Sequence, residues 1–195
     1  MKKIKSALEI AMERVEQIDQ EFNPEEEELL KREQVKPLLT KFYKGKIDAE
    51  GLWQDLKDKG DKELYKQAQI LLLDSIGLKT TEEQLKKRRE GILAVENLNG
   101  GNNTSLLEQA VEQVRNLQRR YDQEHERFQE MYEKAMENAE MSLKPVRTQD
   151  GKTVMKLQQS LDEDTEKRIK QALTELEVQS REMLAKIIED VKSSL

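Results

Sequence analysis

Two long stretches of this chain contain no helix breaker. Of its eight glycines and three prolines, seven and two respectively fall within the first 101 residues, leaving none between Asn102 and Lys144 and none between Lys152 and Leu195. An uninterrupted segment of ~40 residues can run as one helix of roughly 60 Å, at 1.5 Å per residue. The breakers of the first half instead divide it into short, jointed helices. With 38% charged residues, 4% aromatic residues and a mean hydropathy of −0.90, the apolar content suffices for stripes along helices rather than a deep interior. The fold expected is all-α. A bundle of about five short helices over 1–98 is followed by a linker at 99–104. An antiparallel coiled coil then spans 105–195, with helices at about 105–143 and 160–194 and a small β-hairpin at its tip, about 145–156.

Local signals set the joints of the first half. Ile4, Leu8, Ala11, Val15 and Ile18 recur at helical spacing and predict a helix to about Gln20. Asn23-Pro24 followed by four glutamates is a helix start, with a capping amide, proline at the first helical position and acids at the positive end of the dipole. Pro37 should kink or divide that helix. Asp48 and Asp61 read as caps of the next two helices, and Thr80 with Glu83 as a capping box for a fifth.

The second half has a different texture. From Leu107, one heptad position holds Leu107, Val114, Tyr121, Phe128 and Ala135, and the matching one holds Ala110, Leu117, Glu124, Met131 and Asn138. This 3.5-residue repeat predicts a coiled coil opened by a Ser105–Glu108 capping box. In the last helix, opening at Ser160, Ile169, Leu173, Leu176, Ser180, Met183 and Ile187 form one stripe. Leu184, Ile188, Val191 and Leu195 form a second beside it. Between the helices, Asp150-Gly151 predicts a two-residue type I′ turn. That turn sets Thr148 opposite Thr153 and Val146 opposite Met155. Folding back there sums paired helix positions to about 302, so Glu124 meets the polar Gln179–Ser180 interruption.

Composition also excludes classes. No cysteine means no disulfide, thiolate metal site or thiol nucleophile. His125, with Asp122 one turn earlier, would be half of a di-metal bundle site, but that site needs a second histidine. At its heptad position it reads as a flanking residue. DGKT (150–153) has Val146 where a phosphate-binding loop needs glycine, and DLKDKGDKE (55–63) has lysines where a calcium loop needs oxygen ligands. The acids at 25–28 and 162–164 complement helix dipoles. The basic run 86–89 sits among Glu82, Glu83 and Glu90 and reads as a salt-bridged face. Neither half is net basic, which speaks against nucleic acid. No run is apolar enough to span a membrane, and Glu9 and Glu13 follow the N-terminal lysines too soon for a signal peptide. A cytoplasmic location, no cofactor, no metal and no enzymatic activity are expected.

What remains is surface. Phe128, Met131, Tyr132, Met136, Met141 and Met155 gather toward the predicted tip, where flexible thioethers suit an adaptable apolar contact. The helix–hairpin–helix layout of 105–195 resembles a prefoldin-type subunit. That resemblance implies client binding at the coiled-coil ends and oligomer assembly through β-hairpins. Ribosome recycling factor is similar in length and in its long helices, but carries a far larger insert than residues 144–157. The expected function is a non-enzymatic scaffold or assembly factor that binds protein partners and self-associates, most simply as a dimer. The alternatives are a holdase-like chaperone gripping apolar segments at the methionine-rich tip, and a carboxylate-based metal protein or enzyme on the bundle.

Overall fold

A computed structural model describes residues 24–139, 141–147, 151, 153–159 and 161–195. The helix expected over Ile4–Gln20 lies outside them. The described residues are predominantly helical, with six helices and two strands: α1 (Pro24–Tyr43), α2 (Ala49–Lys57), α3 (Lys62–Asp74), α4 (Glu82–Leu98), α5 (Thr104–Glu137), β1 (Met141–Arg147), β2 (Thr153–Gln159) and α6 (Glu163–Lys192). They fall into two compact units. One gathers the described residues up to Ile76 with Glu83–Glu108 and Leu195. The other gathers Gly77–Glu82 and Gln109–Ser194.

In the first unit α1 packs mainly on α3 and less extensively on α2. Its core is built from Val35, Leu38, Leu39 and Phe42 of α1, Leu52 and Leu56 of α2, Leu64, Ala68 and Leu72 of α3, and Leu85, Ile92 and Val95 of α4. Side-chain caps set the starts. The Asp48 carboxylate accepts from the Gly51 amide at 2.8 Å, and Asp61 accepts from Glu63 and Leu64 at 3.0 and 3.2 Å. Proline opens α1 as expected, but Pro37 does not divide it: α1 runs unbroken to Tyr43. One ladder bond is lost at an exposed position, while the buried Val35, Leu38, Leu39 and Phe42 around it hold the helix on the core.

Two expected capping boxes are built differently. The Thr80 hydroxyl accepts from the Gly77 amide at 2.8 Å, within its own loop, and α4 starts at Glu82. At α5 the anchor is Glu96, whose side chain is 1% exposed. It accepts from Gln69 Nε2 at 2.8 Å and from the Asn103 backbone N–H at 2.7 Å, while Asn99 Nδ2 donates to Gln69 Oε1 at 3.0 Å. The Gly101 amide returns to the Glu96 carbonyl at 2.9 Å, with Gly100 and Gly101 both in the left-handed region that admits this tight reversal. Glu108, the expected box partner of Ser105, is paired with Arg89 instead.

In the second unit, α5 buries Ala110, Val111, Val114, Gln118 and Tyr121. Gln118 Nε2 donates to the carbonyls of Gly77 and Thr80 at 2.7 and 3.3 Å, and Arg115 pairs with Glu82 at 2.8 Å. Beyond Tyr121 the stripe emerges into solvent. Residues 122–127 are all exposed, Phe128 is half-buried and Met131 is 51% exposed. Helix α6 opens at Glu163 under an Asp162 cap, which accepts from the Thr165 amide at 2.8 Å. It buries Ile169, Ser180, Leu184, Ile188 and Val191, so the second sequence stripe is the more fully covered one.

Helix α5 ends at Glu137, six residues short of the expected Leu143, because residues 141–147 are strand. Strands β1 and β2 pair antiparallel, with Arg147 opposite Thr153, Val146 opposite Val154 and Pro145 opposite Met155. That register is one residue away from the one a two-residue turn imposes. Gly151, between the strands, has φ +77°, in the left-handed region that glycine favours. The slip exchanges faces. Positions 141, 143, 145 and 147 share a face with 153, 155, 157 and 159. Positions 142, 144 and 146 share the other with 154, 156 and 158.

Candidate functional site

The end of α5 and the ribbon hold all six sequence-predicted contact residues. Phe128, Met131, Tyr132 and Met136 recur at three- and four-residue intervals and so share one face of the last turns of α5. Phe128 and Met136 are half-buried, whereas Met131 and Tyr132 are 51% and 38% exposed. Met141 and Met155 occupy the same face of the ribbon. Met155 pairs with Pro145, four residues from Met141, a separation of about 13 Å along the strand. Both are open to solvent, at 64% and 60%. The six therefore form two groups, four on the helix and two on the ribbon.

The sequence reading missed Val154, which is 47% exposed on the opposite ribbon face. Every ribbon residue whose surroundings are described (141, 147, 151 and 153–155) is exposed. The ribbon is also locally basic. Lys144, Arg147, Lys152 and Lys156 stand against the single Asp150 between residues 141 and 159, in a chain of net charge −6. Lys144 and Lys156 form a register pair.

Other candidates resolve into structural contacts. His125 stacks at a tilt on Tyr121, ring centroids 5.9 Å apart. Among the described residues no group of three or more His, Cys, Asp or Glu is placed to hold a metal ion. In the basic run, Lys87 Nζ lies 3.5 Å from the Tyr43 carbonyl and 5.3 Å from the Phe42 ring centre. Arg88 Nε donates to Ser75 Oγ at 2.8 Å, and Arg89 pairs with Glu108. These cations close the ends of α1, α3 and α5 rather than forming a salt-bridged face with Glu82, Glu83 and Glu90. A groove of about 620 Å³ along α6 is walled by Glu163, Glu166, Lys167, Lys170 and Glu175 among others. Within it Glu166 and Lys170 pair with each other, and the hydrogen bond to Glu166 raises the Lys170 ammonium above its ordinary value. A mutually neutralised pair on one helix face offers no convergent acid–base couple. No helix among the described residues is long and apolar enough to cross a membrane.

No curated protein and no solved structure matches the chain. A family model does, described as a family of unknown function (DUF6657), and its match covers residues 50–193, from the first turn of α2 through α6 and with it the whole ribbon. The chain belongs to this family, and the candidate surface lies inside the part that defines it.

Proposed function

We propose that the protein is a non-enzymatic interaction protein, a scaffold or assembly factor. Its contact surface is an antiparallel coiled-coil arm of α5 and α6 with the ribbon at its tip. The observation that carries this reading is the set of large apolar side chains left in solvent at one end of α5 and on the ribbon: Met131, Met141, Val154 and Met155. Exposed apolar side chains grouped together mark contact surfaces. The antiparallel arrangement draws support from Tyr132 of α5, which lies close enough to Lys170 of α6 for its phenolate to raise the ammonium's pKa. Their numbers add to the value expected of paired positions.

The test is quantitative affinity capture from cells that express the protein. The triple exchange Met131→Ser, Met141→Ser, Met155→Ser should release the captured partners while the circular dichroism spectrum is unchanged. Retention of the same partners at the same yield would remove the surface from consideration.

The holdase reading has one observation in its favour, the predominance of thioethers among these residues, which adapt to varied apolar partners. A holdase suppresses the aggregation of unrelated heat-unfolded proteins, and a scaffold does not. Self-association as a dimer belongs to the same proposal, through Val178 and Met183 of α6, which are 49% and 56% exposed. Light scattering at ~50 µM, above a micromolar Kd, should give twice the monomer mass, and Met183→Glu should return it to the monomer.

A further inference from the structure

We propose that the outer edge of β2 is a docking strand for an extended segment of a different protein, one that alternates apolar and acidic residues and adds to the ribbon as a third strand. This rests on the reading of the chain as an interaction protein and narrows it to one edge and one chemistry.

Among the described residues the ribbon has two strands, so each has one side without a strand partner there. A two-stranded ribbon is marginal in water, and its unpaired N–H and C=O groups template a further strand. Pro145 distinguishes the two edges. Having no N–H, proline sits where that group would face away from the neighbouring strand, so the outer edge of β1 lacks a donor there. Its register partner Met155 then also directs its N–H and C=O outward. By the two-residue alternation of an antiparallel ladder, so do Thr153, Leu157 and Gln159. Strand β2 contains neither Pro nor Gly, so this row is unbroken. Thr153, Val154 and Met155 are all exposed.

Charge and face select the occupant. Lys144, Arg147 and Lys156 give the strands three basic positions and no acidic one, and the register sets Lys144 opposite Lys156. An incoming acidic residue at the register position of Lys156 complements that charge. A second copy would bring the same cations to the same edge, and like-charge juxtaposition opposes it. Positions 141, 143, 145, 155 and 157 hold Met, Leu, Pro, Met and Leu on the other face, with Arg147, Thr153 and Gln159 at its ends. The incoming strand therefore places apolar residues there and acids on the lysine face, the pattern of strand addition.

The experiment is selection of displayed random peptides of ~10 residues, enough for one added strand, on the full-length chain. Enriched sequences should alternate apolar residues with Asp or Glu. A synthetic winner should bind about tenfold more weakly to Leu157→Pro, which removes an outward N–H and no ladder bond to β1. It should also weaken as NaCl rises from about 50 to about 500 mM. Lys156→Glu should switch the enriched charge from acidic to basic, and it leaves the edge testable should Leu157→Pro unfold the ribbon. Selection yielding no alternating acidic peptide overturns the assignment. So does binding indifferent to both variants, or a dimer of the chain that Leu157→Pro dissociates, which would make the second copy the occupant. If serine exchange at the methionines releases partners while no acidic strand binds, the interaction reading stands and the edge assignment falls.

Discussion

Gly91 lies in the middle of α4, fully buried, where helix propensity alone says alanine should be better by about 1 kcal/mol. The packing says otherwise. A Cβ at position 91 would lie 2.9 Å from both Cε1 and Cζ of Phe42 and 3.4 Å from Cδ2 of Leu72. Phe42 is only 1% exposed, so the ring, a stiff group, must shift among packed neighbours to admit the methyl. Inserting a methyl group into a filled core costs about 1–3 kcal/mol. Set against the propensity gain, Gly91→Ala should destabilise by about 1 kcal/mol and lower Tm by about 3 °C for a chain of this size. Urea unfolding followed by circular dichroism measures it. The control is Phe42→Leu, which removes the offending ring carbons. In that background Gly91→Ala should become neutral or stabilising, a coupling of about 1–2 kcal/mol. If Gly91→Ala stabilises the parent chain, or costs the same in both backgrounds, steric exclusion by Phe42 is not why glycine stands there.

Glu96→Ala leaves the buried Gln69 amide and the Asn103 N–H without their acceptor, so it should cost about 3 kcal/mol in urea unfolding; Glu96→Gln should cost less. The Lys31 ammonium hydrogen-bonded to Asp61 holds that carboxyl below its ordinary range, and the same bond raises the Lys31 ammonium. A depressed acid contributes stability above its unfolded value, near pH ~3.9, which is lost as pH falls through the folded value. A raised base contributes below its unfolded value, near pH ~10.4, and loses it as pH rises. The pair thus stabilises through neutrality and fails at both extremes. Asp61→Asn, which keeps a capping side chain, should flatten the acid limb of stability against pH without abolishing α3. Unchanged acid sensitivity would remove the ion pair as its source.

The joints of the first unit were legible because each is a local event. Asp48 and Asp61 bond amides two or three residues on, and a reading of neighbouring positions can see that. The stripe of α5 was legible as far as Tyr121, where periodicity and burial agree. Past that point the heptad continues in sequence while its residues become exposed, because periodicity records what a face could bury, not what covers it. The ribbon register was the least legible: Asp-Gly favours a two-residue loop, and the strands pair one residue away from it. Met141–Lys144 continued the helical pattern, and only the preference of a pre-proline residue for extended backbone marked the change. Glu96, Gln69 and Asn103 were invisible as a group. They are spread over 35 residues, and each taken singly is a polar residue at an ordinary helix or turn position. At the candidate site the six contact residues were named from sequence, but their division between helix and ribbon depended on where α5 ends, and the shared face of Met141 and Met155 on the register.

Helix α5 is continuous for 34 residues, yet it is two different objects energetically. Its first half is fastened by the Glu96 anchor, by Gln118 on the Gly77 carbonyl and by a buried stripe ending at Tyr121. Its second half is less covered, with Phe128, Ala135 and Met136 only half-buried and surface pairs such as Lys134 with Glu130. A helical segment of ~16 residues is marginal in water on its own and depends on such partial packing. Amide hydrogen exchange should therefore fall into two classes within a single helix. Protection should approach that of global unfolding up to residue 121 and drop by orders of magnitude beyond it, with no break in the backbone. A partner seated on Met131 and Tyr132 would then gain part of its affinity by freezing turns that are already formed but only briefly kept.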